Sequence, residues 1–194
     1  IMGRSLAIDS DAGTLLIGTE EGAVLSRSLY DSSTMPNQKG PTGTQNAEIY
    51  ALAVDDYGTI WAAGNCTIHF KPVGEVVWNE YDYCPTQNIE MPSDIMIIAD
   101  SVYLATTNSG VHILNYITSS SSGSVSVSID SQTDWSTQNF LSSDQITDLE
   151  VVGNHLLIAT SDSGINRRDL TAQSWIATWS TNNWLASNQI HGLS

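Results

Sequence analysis

The 194-residue sequence predicts an all-β chain built from repeated four-stranded units. Three observations carry that reading. Residues 135–149 return at residues 179–193, position by position, at an offset of 44. A short apolar strand followed by glycine recurs: residues 15–19 before Gly22, 102–106 before Gly110 and 156–160 before Gly164, with 59–64 a degraded copy. No stretch carries apolar residues at the 3.6-residue period of a helix.

The elements follow in order. A first strand contains Leu6-Ala7-Ile8, Leu52-Ala53-Val54 or Leu149-Glu150-Val151, each ahead of an Asp/Gly turn. The glycine-ended second strand comes next, and glycine suits the tight turn that needs positive φ. The third strand holds Ala23-Val24-Leu25, Ile68-His69-Phe70, Val111-His112-Ile113 or Ile165-Asn166-Arg167. A Trp-bearing fourth strand is expected at Val76-Val77-Trp78, Asp134-Trp135 and Ser174-Trp175-Ile176. Four short antiparallel strands per unit of about 45 residues is the pattern of a β-propeller blade.

Aligned units begin at Leu6, Leu52, near Ile95, at Leu149 and at Leu193. One propeller domain over 1–194 is expected, with blades at 5–48, 49–92, 93–145 and 146–190. The serine run at 118–124 reads as a flexible insertion in the third blade. Residues 31–45, with Pro36, Gly40, Pro41 and Gly43, read as a second irregular loop. Leu193 shares the phase of Leu6, so the chain spans four whole units. Four blades close on themselves, or they belong to a larger ring of six to eight. Both ends fall within a first strand, which favours the larger ring.

Composition narrows the function classes. Apolar residues make up 41%, which places the chain among globular proteins. Acidic residues outnumber Lys and Arg by 21 to 6, a formal charge of -15. Nucleic acid and anionic membrane surfaces are poor partners for such a surface. No apolar run is long enough to insert in a membrane, and no signal peptide opens the chain. Cys66 and Cys84 form a disulfide or remain two buried thiols. No metal-ligand spacing accompanies them, apart from His69 near Cys66. Asn65-Cys66-Thr67 is a glycosylation sequon in form.

Asp9-x-Asp11-x-Gly13 is similar to half of a calcium loop, with Glu20 at the twelfth position. Hairpin-turn chemistry accounts for the same residues, and for Asp55-Asp56-Tyr57-Gly58. Residues 56–61 approach a sialidase Asp-box, but Ile60 separates Thr59 from Trp61, and Arg4, Arg27, Arg167 and Arg168 offer no trio for a carboxylate. His69 and His112 share one repeat position, facing a channel, where they are candidates for binding a ligand, or an inter-blade surface. Glu20, Glu21, Asp55, Asp56 and Asp162 sit in turns as a solvated acidic rim. Nothing singles out a pair among them for glycoside hydrolysis. Trp61, Trp78, Trp135 and Trp175 recur at blade phase, as packing residues do. Trp179 and Trp184 lie in or beside a loop and are candidates for stacking on a sugar.

The repeat resembles the two-component regulator propeller family. Residues 140–146 (Phe-Leu-Ser-Ser-Asp-Gln-Ile) and 184–190 (Trp-Leu-Ala-Ser-Asn-Gln-Ile) match its loop motif, and residues 16–19 and 158–160 its strand motif. Residues 54–61 match its turn. The third unit departs from the pattern, and the first lacks its Trp. The resemblance implies a sensor region outside the cytoplasm, extracellular or periplasmic, binding a carbohydrate or small molecule without catalysis or cofactor. It also implies that further blades or receptor regions belong to the same protein. Two other readings stay open: a polysaccharide lyase or glycoside hydrolase on this scaffold, and a structural or adhesive propeller of a larger secreted protein.

Overall fold

A computed structural model describes residues 3–31, 37–38, 48–84, 90–121 and 124–194. These residues contain sixteen strands, and no helix occurs among them. The first sheet is β1 (Gly3–Asp9), β2 (Thr14–Thr19), β3 (Val24–Ser28) and β4 (Asn37–Gln38). The second is β5 (Ala51–Val54), β6 (Ile60–Ala63), β7 (Thr67–Lys71) and β8 (Asn79–Asp82). The third is β9 (Pro92–Ile98), β10 (Ser101–Thr106), β11 (Val111–Ser121) and β12 (Ser124–Trp135). The fourth is β13 (Ile146–Val152), β14 (His155–Thr160), β15 (Ile165–Asp169) and β16 (Ser174–Trp179). Each sheet is an antiparallel meander in sequence order.

The first strands of successive sheets lie side by side: β1 against β5, β5 against β9 and β9 against β13. That arrangement makes an arc of four propeller blades. At each of the three seams one blade buries a face against the blade that follows it. Three apolar clusters result, one per seam. Leu16 and Val24 meet Leu52, Ile60 and Ala62 in the first. Trp61, Ile68 and Phe70 meet Ile95, Val102 and Leu104 in the second. Val111, Ile113 and Trp135 meet Leu149, Leu156 and Ile158 in the third.

One register position shows what a seam does. Leu52, Ile95 and Leu149 are 7%, 7% and 2% exposed, whereas Leu6, their equivalent in the first blade, is 67% exposed. The pairing register is the same in each case: Leu6 opposite Ile17, Leu52 opposite Ala62, Ile95 opposite Leu104 and Leu149 opposite Ile158. Exposure therefore follows from the presence of a preceding blade and not from strand position. The arc is open at this face.

Two sequence expectations need correction. Val76-Val77-Trp78 is not the fourth strand of its blade. Strand β8 begins at Asn79, and Val76 and Val77 are 89% and 65% exposed. A turn after Pro72, closed by Glu75 N–H donating to the Pro72 carbonyl, delays the strand. The serine run is not a flexible insertion over its described part. Residues 118–121 pair with residues 124–127 as the tip of a long β11–β12 hairpin. Ser and Val alternate there, so one face stays polar while Val125, Val127 and Ile129 join the second seam. Residues 122–123 lie outside the described part. So does the irregular loop at 31–45, with Pro36, Gly40, Pro41 and Gly43, apart from Asp31 and strand β4.

The β5–β6 turn is organised by Asp55, which is 7% exposed. Its Oδ1 accepts from Tyr57 N–H at 3.0 Å and Thr59 N–H at 2.8 Å, and its Oδ2 accepts from the Trp61 indole N–H at 3.0 Å. The turn is thereby bound to the largest side chain of the core. Asp55→Ala leaves three donors without an acceptor, two of them buried, at a cost of about 3 kcal/mol. Urea unfolding should show that loss, and Asp55→Asn should recover part of it.

Candidate functional site

The most elaborate polar cluster lies where the second and third blades meet. His112, at the second position of β11, is 4% exposed. Its Nε2 is 2.6 Å from Glu90 Oε2 and its Nδ1 is 2.7 Å from Asp134 Oδ1. The imidazole is thereby held between two carboxyl groups. Glu90, 6% exposed, sits in the segment that leads into β9, and its carbonyl accepts from Cys66 N–H. Gln132 Nε2 donates to Asp134 Oδ1 at 2.9 Å and to the Tyr83 carbonyl at 3.0 Å. The Tyr83 ring packs on His112 with centroids 5.2 Å apart, and its hydroxyl donates to the Gly64 carbonyl at 2.8 Å. Burial raises the Tyr83 pKa, so the hydroxyl keeps its proton as a donor.

A disulfide joins Cys66 to Cys84 beside this cluster, with Cα atoms 5.0 Å apart. It ties the β6–β7 turn to the end of β8 and so fixes Tyr83. Asn65, in the sequon, is part-buried next to it.

His69 occupies the same register position one blade earlier, opposite Ala62 as His112 is opposite Leu104. It is 1% exposed and 3.9 Å from Glu80, and among the described residues its Nε2 has no hydrogen-bond partner. Burial lowers its pKa, against the opposing pull of the Glu80 and Asp82 carboxylates. In the fourth blade the position is Asn166, whose Oδ1 accepts from Ser142 N–H at 3.0 Å. His112 and Asn166 thus both bind the segment entering their own blade. The two histidines are in equivalent places in different blades and do not share one site.

The loop candidates separate in the same way. Trp184 is 78% exposed. Trp179 is half-buried at the end of β16, with the Arg167 guanidinium 4.2 Å above its ring. Asp9 Oδ1 accepts from Ala12 N–H at 2.9 Å, which is turn chemistry, and Asp11 is exposed. Glu20 pairs with Arg4 at 3.3 Å. Among the described residues no group of three His, Cys, Asp or Glu side chains could hold a metal ion.

A second electrostatic feature escaped the sequence reading. Asp94 on β9 and Asp148 on β13 converge on one backbone donor, each accepting from Leu149 N–H at 3.0 Å. Burial and the Asp148 carboxyl push Asp94 up to about 7, while backbone donors oppose the shift. Both residues occupy one repeat position, opposite Ala105 and Ala159. Sequence carries the equivalence but not the shared donor.

These features define the chain as an arc of a β-propeller with its buried polar chemistry at the blade seams. No family profile matches the sequence, and no curated protein does. Solved structures do. The chain is similar to the extracellular domain of a putative hybrid two-component system protein from B. thetaiotaomicron, at 14% identity and a TM-score of 0.65, over 98% of this chain and 24% of that one. It is similar to the WD40 β-propeller domain of Doa1 at 14% identity and a TM-score of 0.60, over 90% and 53% of the two chains. BamB from Moraxella catarrhalis matches at 12% identity and a TM-score of 0.58, over 91% and 49%. At these identities the likeness is one of fold. The chain spans about a quarter of the first of these proteins and about half of the other two.

Two outcomes test the electrostatics. Removing His112 leaves Glu90 buried without its partner, which costs about 3 kcal/mol for a broken buried pair. His112→Ala should lose that much in urea unfolding, and Glu90→Gln in the same background should restore part of it. Asp94 holds a proton in the folded state that it releases in the unfolded chain between its ordinary value and about 7. Its contribution is therefore complete at acid pH and is lost as pH rises through about 7. Unfolding midpoints at pH 5 and pH 8 should differ in that direction, and Asp94→Asn should shrink the difference.

Proposed function

We propose that this chain is part of a non-catalytic recognition module working outside the cytoplasm, with a glycan or other small molecule as its ligand. The observation that carries the reading is a disulfide-clamped propeller arc, similar in fold along 98% of its length to an extracellular domain of a two-component system protein. Structural disulfides persist in oxidising compartments, which supports the location. The acidic, lysine-poor surface suits neutral or cationic ligands over nucleic acid. No helix among the described residues is long and apolar enough to cross a membrane.

The loop face supplies the side chains such a ligand would use. Exposed Trp184 offers a flat apolar surface for a sugar ring. Trp179 lies beneath the Arg167 guanidinium, which adds donors for hydroxyl groups. A sensor of this kind transmits a signal by binding two conformations unequally, not by turnover.

Titration calorimetry against neutral and acidic oligosaccharides should find a ligand whose heat is lost in Trp184→Ala. The same mixtures should show no new reducing ends. Release of reducing ends would overturn the non-catalytic reading, and an absence of binding across the panel would overturn the glycan.

A further inference from the structure

The third blade carries an outer edge unlike the others. Strands β11 and β12 run for 11 and 12 residues, against 7 and 6 for β9 and β10. Pairing of β10 with β11 ends at Asn115, opposite Ser101. Beyond it, residues 116–121 pair only with β12, so a two-stranded ribbon runs past the body of the sheet. One face of the ribbon is held down. Val127 is 9% exposed, and Val125 and Ile129 pack with it on the second seam. The other face, with Ile117, Ser119, Ser126 and Ser128, is exposed. The ribbon is thus fixed in place, while among the described residues no strand lies beside the outer edge of β12.

Bare edge strands invite pairing, and proteins blunt them by shortness or by charge. The outer strands of the neighbouring blades follow that rule. Strand β8 has 4 residues and carries Glu80 and Asp82, and β16 is half the length of β12. Residues 125–129 of β12 have neither protection. No Asp, Glu, Lys or Arg occurs from residue 101 to residue 129, in a chain of formal charge -15.

The sequence of this edge specifies what fits it. Val125-Ser126-Val127-Ser128-Ile129 reads almost the same in both directions. Laid antiparallel on itself about Val127, it sets Val127 opposite Val127, Ser126 opposite Ser128 and Val125 opposite Ile129. Every apolar side chain then meets an apolar one on the seam-side face, and every serine meets a serine on the exposed face. A twofold contact requires such self-complementarity. The same register separates the acids. Asp130 falls opposite residue 124 of the other copy, so the two Asp130 positions lie about 20 Å apart along the strands. That exceeds the screening length of about 8 Å at physiological ionic strength. The acidic surface elsewhere opposes the approach of a second copy, and this uncharged edge does not.

We infer that β12 is a dimerisation edge. Two copies of the chain pair residues 125–129 antiparallel and join their β11–β12 ribbons into one four-stranded sheet. Twofold pairing occupies both β12 edges, so the assembly closes at two. A contact this short falls below the roughly 1,200 Å² of stable interfaces, so the dimer is weak and reversible. It uses a different blade from Trp184 and does not depend on the ligand reading.

Sedimentation velocity over a series from low to high micromolar concentration tests the inference. A monomer–dimer equilibrium should appear, and amides of 125–129 should gain severalfold hydrogen-exchange protection as the dimer fills. Ser126→Asp with Ser128→Asp puts carboxylates opposite one another and should leave only monomer. Ser126→Lys with Ser128→Lys should do the same. Both serines are exposed, so the urea midpoint of each variant should stay near that of the parent chain.

An equimolar mixture of the Asp and Lys variants at low salt should restore the dimer, because residue 126 of one copy faces residue 128 of the other. A merely weakened ribbon cannot give that rescue. A folded parent chain that stays monomeric to millimolar concentration would overturn the inference, whatever the variants do. Survival of the dimer in the Asp variant would place the contact elsewhere and overturn it. Failure of the mixture would overturn the register, and growth past two copies would mean general edge aggregation in place of a closed pair.

Discussion

A four-stranded sheet with apolar side chains on both faces cannot cover itself, and that constraint organises this molecule. Each blade needs a neighbour on either side. Leu52, Ile95 and Leu149 disappear into seams, while Leu6, with the same sequence position and the same pairing, stands in solvent. Close approach at the seams then restricts other choices. A Cβ at Gly110 or Gly164 would lie 2.0 Å from the carbonyl of Trp135 or Trp179, and both glycines have φ near +85°. Only glycine meets both demands.

The seams are alike in geometry and unlike in chemistry. The first is almost wholly aliphatic. The second adds a disulfide, a histidine between two carboxylates and a hairpin long enough to place Tyr116 against Trp61, with ring centroids 4.9 Å apart. The third adds edge-to-face tryptophans under an arginine and two carboxyls that share one donor. Buried polar groups are costly unless satisfied, so such clusters make specific blades fit specific neighbours. A repeat in which every seam was aliphatic would tolerate exchange of one blade for another. Here His112 requires Glu90, and Asn166 requires the Ser142 amide.

Much of this was legible in the residues. Glycine after a small-residue strand marked the hairpins, and the 44-residue repeat marked the blade period. Misreadings came where one local signal had two structural outcomes. Val76 and Val77 are strand formers by propensity, yet the turn at Pro72–Glu75 keeps them out of the sheet. A serine-rich stretch usually marks a loop, but Ser alternating with Val has the two-residue period of a strand, and Val127 found a buried place. The histidines showed their equivalence but not their partners. Glu90 is 22 residues from His112, and no sequence pattern joins them.

By itself the sequence determined the all-β class, the blade period and the phase in which each strand presents its side chains, because these depend on contacts a few residues apart. Tertiary structure alone decided which faces are covered, that Cys66 meets Cys84, and that His112 is held between Glu90 and Asp134. It also decided that two aspartates on neighbouring strands compete for one amide. Those outcomes depend on how far one blade rotates against the next, and that rotation is set by the packing of whole sheets.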